Sequence, residues 1–130
     1  MERSMNMNIS VSFRGRSGKA WDFQRVPKDA AWARSPGAVI FAAPDSFGWR
    51  IIRVMELTGR PHDLQPIWAL AEAERYGATA VFLALEFDAR ERKCMVADIE
   101  EGFSPVCLNP REVPEAKESQ RVPAATGLAA

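Results

Sequence analysis

The sequence predicts a small α/β (α+β) domain, a mixed or antiparallel sheet with helices packed on it and an N-terminal β-hairpin. Three observations predict it. Residues 37–43 (GAVIFAA), 49–56 (WRIIRVME) and 79–87 (TAVFLALEF) are apolar runs of strand length. Residues 65–76 and 89–101 carry helix formers between recognisable start and stop signals. Residues 8–13 alternate Ile9, Val11 and Phe13 with Asn8, Ser10 and Ser12, the period of a half-buried strand.

The elements follow in order. After the alternating strand, the segment RGRSG is a turn, and residues 20–26 form a second strand with Trp21 and Phe23 two apart. Pro27, Ser35 and Pro36 bracket a short helical turn around Trp32. The runs 37–43 and 49–56 are joined by Pro44-Asp45-Ser46-Phe47-Gly48, whose residue types favour a tight turn, so a second hairpin is expected. Residues 57–64 read as a loop. Pro66 suits the first turn of the helix at 65–76, and Gly77 suits the position past its end. The run 79–87 is apolar on both faces, as in a central covered strand. Asp88 and Glu91 have the spacing of a capping box for the last helix. Met95, Val96 and Ile99 share a face that Phe103 continues, and Gly102 and Pro105 end the helix.

The organisation expected is a flexible N-terminus at 1–7, a single domain at 8–109 and a solvated, disordered tail at 110–130. The start lacks an apolar signal core, and no run reaches the roughly 20 residues needed to span a bilayer. A cytoplasmic protein with no membrane association is therefore expected. The net charge is zero, which argues against a strongly basic nucleic-acid binder. The halves nevertheless differ: residues 1–60 hold ten Lys/Arg against five Asp/Glu, and 61–130 hold seven against twelve, or +5 and −5. Cys94, Cys107 and the single histidine, His62, have no metal-ligand spacing, so reduced, mostly buried thiols, no metal and no cofactor are expected.

Residues 36–41 (PGAVIF), 52–55 (IRVM), 71–79 (AEAERYGAT) and Ala97-Asp98-Ile99, followed by Pro105 and Leu108-Asn109, give a hairpin, a helix, a strand and a helix in fixed order. Over residues 20–109 this arrangement resembles the GIY-YIG nuclease superfamily, and most of all its small bacterial stand-alone members. The resemblance implies a phosphodiester-cutting site of two tyrosines, an arginine on the first helix and a metal-holding glutamate on the second. Those positions fall on Val39, Arg53, Asp63 and Val96, and none keeps the type the chemistry needs. A catalytically inactive domain with at most weak nucleic-acid binding is therefore expected, with no catalytic residue.

Arg50, Arg53 and Arg60 are the candidate phosphate contacts, with Arg14, Arg16 and Lys19 on the N-terminal turn as further basic residues. Exposed strand charges that keep an edge soluble are the alternative. The sequence interleaves no aromatic stripe with the basic residues, and Trp21, Trp32, Trp49 and Trp68 read as core. A His62-Asp63 pair near Glu56 is a remote acid–base candidate, and Asp98, Glu100 and Glu101 read as solvated surface. A protein-interaction or homo-oligomerisation module, built on apolar content and open sheet edges, is the rival from a different class.

Overall fold

The computed structural model describes residues 9–29 and 31–109. The expected N-terminal segment 1–7 and the tail 110–130 lie outside the described residues. The elements are β1 (Ser10–Arg14), β2 (Ala20–Val26), a 3-10 turn (Ala31–Arg34), β3 (Gly37–Asp45), β4 (Gly48–Leu57), α1 (Gln65–Arg75), β5 (Ala80–Leu85) and α2 (Ala89–Phe103). The five strands form one sheet in the order β1-β2-β5-β3-β4, with every neighbouring pair antiparallel.

Both faces of this sheet carry core. On the α2 side Phe13, Phe23, Ile40, Val54 and Phe82 pack with Ile99 of the helix, and on the α1 side Val39, Phe41, Ile52, Leu57 and Val81 pack with Trp32 of the 3-10 turn. Strands β3 and β5 alternate between the two sets, which is why their sequences read as continuous apolar runs. Apart from Val26 at the end of β2, which packs on the α1 side, the β1–β2 hairpin is covered on the α2 face only. Ser12, Arg14, Asp22 and Gln24 on its other face are exposed, matching the alternation in sequence.

Strand β4 changes phase part-way along. Phe41 pairs with Arg53 and Ala42 with Ile51, so Ile52 is an extra residue, a β-bulge. Ile52 and Arg53 therefore both face α1, while Ile51 and Trp49 turn to the α2 face. The outer edge of β4 is then covered. The Cys107 N–H donates to the Ile52 carbonyl (2.8 Å), and Asn109 Nδ2 donates to the Val54 carbonyl (2.7 Å).

Several expectations need correction. α2 runs through Gly102, because that glycine packs on the β1–β2 turn: a Cβ there would sit 2.7 Å from the Arg16 backbone nitrogen. The helix stops instead at Ser104, in the left-handed region (φ 48°). Half of the capping box forms: Asp88 accepts the N–H groups of Arg90 and Glu91, but its own N–H donates to Glu86 rather than Glu91. β5 ends at Leu85, and both Leu85 and Phe87, at and beyond its end, are exposed. Phe103 is 38% exposed at the end of the helix face. Cys107 is buried, whereas Cys94 points outward from α2.

Candidate functional site

Val39 lies fully buried beneath α1, paired with Met55, whereas Val96 is on α2, buried against the opposite face of the sheet. Asp63 sits in the loop before α1, where its Oδ1 accepts the N–H of Gln65, the first residue of the helix (3.0 Å). The four positions implied by the resemblance thus share no cavity. Val39 and Val96 contribute packing.

The three arginines do not converge. Arg50 is exposed near the start of β4. Arg60 lies three residues past Leu57, the end of that strand. The seven steps from Arg50 to Leu57 span about 23 Å at strand rise. Arg53, between them, is mostly covered, and its Nη1 meets Glu72 Oε1 on α1 at 3.3 Å. Arg53 Nε is buried without a hydrogen-bond partner among the described residues. Beside this pair, burial pushes the Cys107 thiol pKa up, with the Glu72 charge adding to the effect and Arg53 opposing it.

The acid–base candidate is not assembled. His62 is exposed in the loop, and Glu56 lies on the α2 side, accepting from Arg92 Nε (2.9 Å) and Lys93 Nζ (3.3 Å). Arg92 is buried and also donates to the Glu86 and Phe87 carbonyls, so this group clamps the β5–α2 connection onto β4. Asp98, read as solvated surface, is instead a latch. The Ser17 N–H (2.8 Å), Ser17 Oγ (2.7 Å) and Trp21 Nε1 (2.9 Å) all donate to its carboxylate, holding the β1–β2 turn against α2. These bonds, led by that from Trp21, lower its pKa. Glu100 accepts the Asn109 N–H, and Glu101 is exposed. Among the described residues no group of three or more His, Cys, Asp or Glu is placed to hold a metal ion.

The fold does bring aromatic and basic groups together at one end of the sheet, where sequence distance hides them. Phe47 is 100% exposed at the β3–β4 turn, with its N–H held by Asp45 Oδ1 (2.9 Å). Two residues on, Trp49 turns to the α2 face against Phe82 (5.1 Å between ring centroids). The Arg25 guanidinium from β2 lies 5.2 Å from the Trp49 ring, a cation–π contact. Arg50 projects from the other face of the same strand. Trp49 is thus half-buried rather than core, and so is Trp21, under the Lys19 ammonium (4.0 Å). Trp32 is core, and Trp68 is 64% exposed. The bulge at Ile52 is what puts Trp49 on the same face as Arg25, and nothing in the local sequence announces it.

Searches of protein-family models, of curated proteins and of solved structures found no match to this chain. No helix among the described residues is long and apolar enough to cross a membrane.

Proposed function

We propose that this chain is a non-catalytic, GIY-YIG-like domain that binds single-stranded nucleic acid weakly through the β3–β4 end of its sheet. The observation that carries the reading is the fully exposed Phe47 on the turn that leads into Trp49 and Arg50, with Arg25 stacked on Trp49 on one face of the strand and Arg50 on the other. An aromatic ring offers any base a stacking face, and adjacent guanidinium groups neutralise phosphate. Arg50 is retained from the sequence candidates as a backbone contact. Arg60 belongs to the far end of β4, and Arg53 is engaged by Glu72. The order β3–β4–α1–β5–α2 is compatible with the GIY-YIG-like reading, and valine at positions 39 and 96, buried on opposite faces of the sheet, offers no group for that family's chemistry.

The test is fluorescence anisotropy of labelled single- and double-stranded DNA and RNA at two salt concentrations, with and without magnesium. Expected is weak binding that prefers single strands, falls with salt and leaves the probes intact. Phe47→Ala then weakens single-strand binding by roughly 5- to 100-fold, the range of one lost stacking contact. Arg50→Ala reduces the salt slope by about 0.7. Magnesium-dependent cutting would overturn the non-catalytic part, and absence of binding at low salt would overturn the whole.

A second reading, a protein-interaction module, rests on a separate observation. Leu64, Ile67 and Trp68 are exposed side by side at the start of α1, where helical spacing of three and four makes them neighbours. Trp68→Ala leaves nucleic-acid binding unchanged under the first reading.

A further inference from the structure

We infer that Tyr76 is a second base-stacking residue of the single-strand site, so that a bound strand passes over the β3–β4 end from one face of the sheet to the other. The inference rests on the reading of that end as a single-strand site and extends it onto the α1 face. Trp49 and Arg25 lie on the α2 face, and Phe47 stands fully exposed on the turn between the strands. Arg50 leads onto the α1 face, and Tyr76 is the aromatic side chain that meets it there.

Two observations bring Tyr76 to Arg50. Arg50 pairs with Ala43 across the β3–β4 ladder, and directly opposed residues share a face, here the α1 face that Ala43 helps to pack. A Cβ placed at Gly77 would lie 3.9 Å from the Ala43 Cβ, so the C-terminal turn of α1 rests on that same point of β3. The helix stripe agrees. Glu72 meets Arg53 of β4 at 3.3 Å, and Tyr76 lies four residues on, one helical turn nearer the Arg50 end of the strand. Tyr76 is 51% exposed, yet its backbone is fixed. Its N–H donates to the Ala73 carbonyl (2.9 Å), and the next N–H, from Gly77, donates to the Glu74 carbonyl (3.1 Å). Gly77 then takes a left-handed φ of 104° that turns the chain towards β5. An open ring on a fixed backbone is what a stacking platform requires.

The charges suit a phosphate backbone. Among the described residues no carboxylate lies within ion-pair distance of Arg25, Arg50 or Arg75. The acidic side chains of α1 and of the turn are engaged: Glu72 with Arg53, Glu74 with Lys28 (2.8 Å) and Asp45 with the Phe47 N–H. Arg75, exposed in the last turn of α1, offsets the partial negative charge of that helix end. Rings and guanidinium groups thus follow one another from the α2 face, over the turn, to the α1 face. An occupant that touches all of them is a single strand of at least about four nucleotides, the low end for a single-strand groove.

Tyr76 is the single tyrosine of the chain, so its ring signals are unambiguous in a tyrosine-labelled sample. The experiment follows them by NMR as oligothymidylate is added to the full chain. Anisotropy titrations of Phe47→Ala, Tyr76→Ala and Tyr76→Phe with a labelled oligothymidylate run beside it. Expected is a shift of the Tyr76 ring signals that saturates together with the anisotropy. Tyr76→Ala weakens binding by roughly 5- to 100-fold, the range of one lost stacking contact, whereas Tyr76→Phe keeps the ring and binds as the unaltered chain does. Should Tyr76→Ala fail to fold by circular dichroism, the ring signals of the unaltered chain and Tyr76→Phe decide the matter. Binding that weakens with Phe47→Ala while the Tyr76 signals stay still overturns this inference and leaves the single-strand reading standing. Equal loss in Tyr76→Phe would place the hydroxyl, not the ring, in contact and overturns stacking. Absence of binding by the unaltered chain overturns both readings.

Discussion

Asp98 reads in sequence as solvated surface, yet it is half-buried and takes three hydrogen bonds that tie a turn 81 residues earlier to α2. Its folded pKa lies below the unfolded value of about 3.9. The unfolded chain therefore binds the proton more readily, and the latch contributes fully above about pH 4. Its contribution is lost as pH falls through the lower folded value. Asp98→Asn should lower the Tm at pH 7 and flatten the acid limb of a Tm-against-pH curve below pH 4; an unchanged acid limb would count against the latch. The two cysteines give a second residue-level test. Cys107 is buried with a raised pKa, and its backbone is bonded to β4, whereas Cys94 is exposed. Because the thiolate is the reacting form, a maleimide or disulfide reagent at pH 7 should modify Cys94 first and Cys107 only on unfolding. Equal rates in the native protein would mean that the segment over the β4 edge opens freely.

At the scale of elements, α2 shows how a local rule can give the wrong sign. Gly102 reads as a helix stop, and alanine in a helix interior is ordinarily better than glycine by about 1 kcal/mol. Here a Cβ would meet backbone, the Arg16 nitrogen at 2.7 Å and the Gly15 carbonyl carbon at 2.9 Å. Neither atom can move without shifting β1 from α2, so contact outweighs propensity. Gly102→Ala should destabilise by roughly 1–3 kcal/mol, the range for overpacking. A raised midpoint in urea would show that the turn yields and that propensity governs. Asp88 is the control at the other end of the same helix. Its side chain satisfies two N–H groups of the first turn, and Asp88→Ala should cost about 1 kcal/mol by the same measurement.

For the whole molecule, the legible part of the sequence was the part governed by period and by turn chemistry. The alternation of Val11 and Phe13, the two-faced runs of β3 and β5 and the Pro-Asp-Ser-Phe-Gly turn each foretell their element, because each depends on neighbours two to four residues away. The bulge at Ile52, the partner of Asp98 and the meeting of Arg25 with Trp49 depend on residues that only the completed sheet makes adjacent. That is why the local sequence shows Arg50 as a basic strand residue but not the aromatic and basic groups that the sheet sets near it. The same sheet decides how the protein comes apart. Phe41 and Phe82 lie on opposite faces, yet β3 and β5 pair through Phe41↔Val81 and Ile40↔Phe82, so both faces rest on the same ladder. Phe41→Ala beneath α1 and Phe82→Ala beneath α2 should each cost about 3–5 kcal/mol. Native-state hydrogen exchange should then show α1 and α2 amides losing protection by equal amounts in either variant, as one cooperative unit. If Phe82→Ala exposed α2 while α1 kept its protection, the two faces would be separate units and β3 a passive divider.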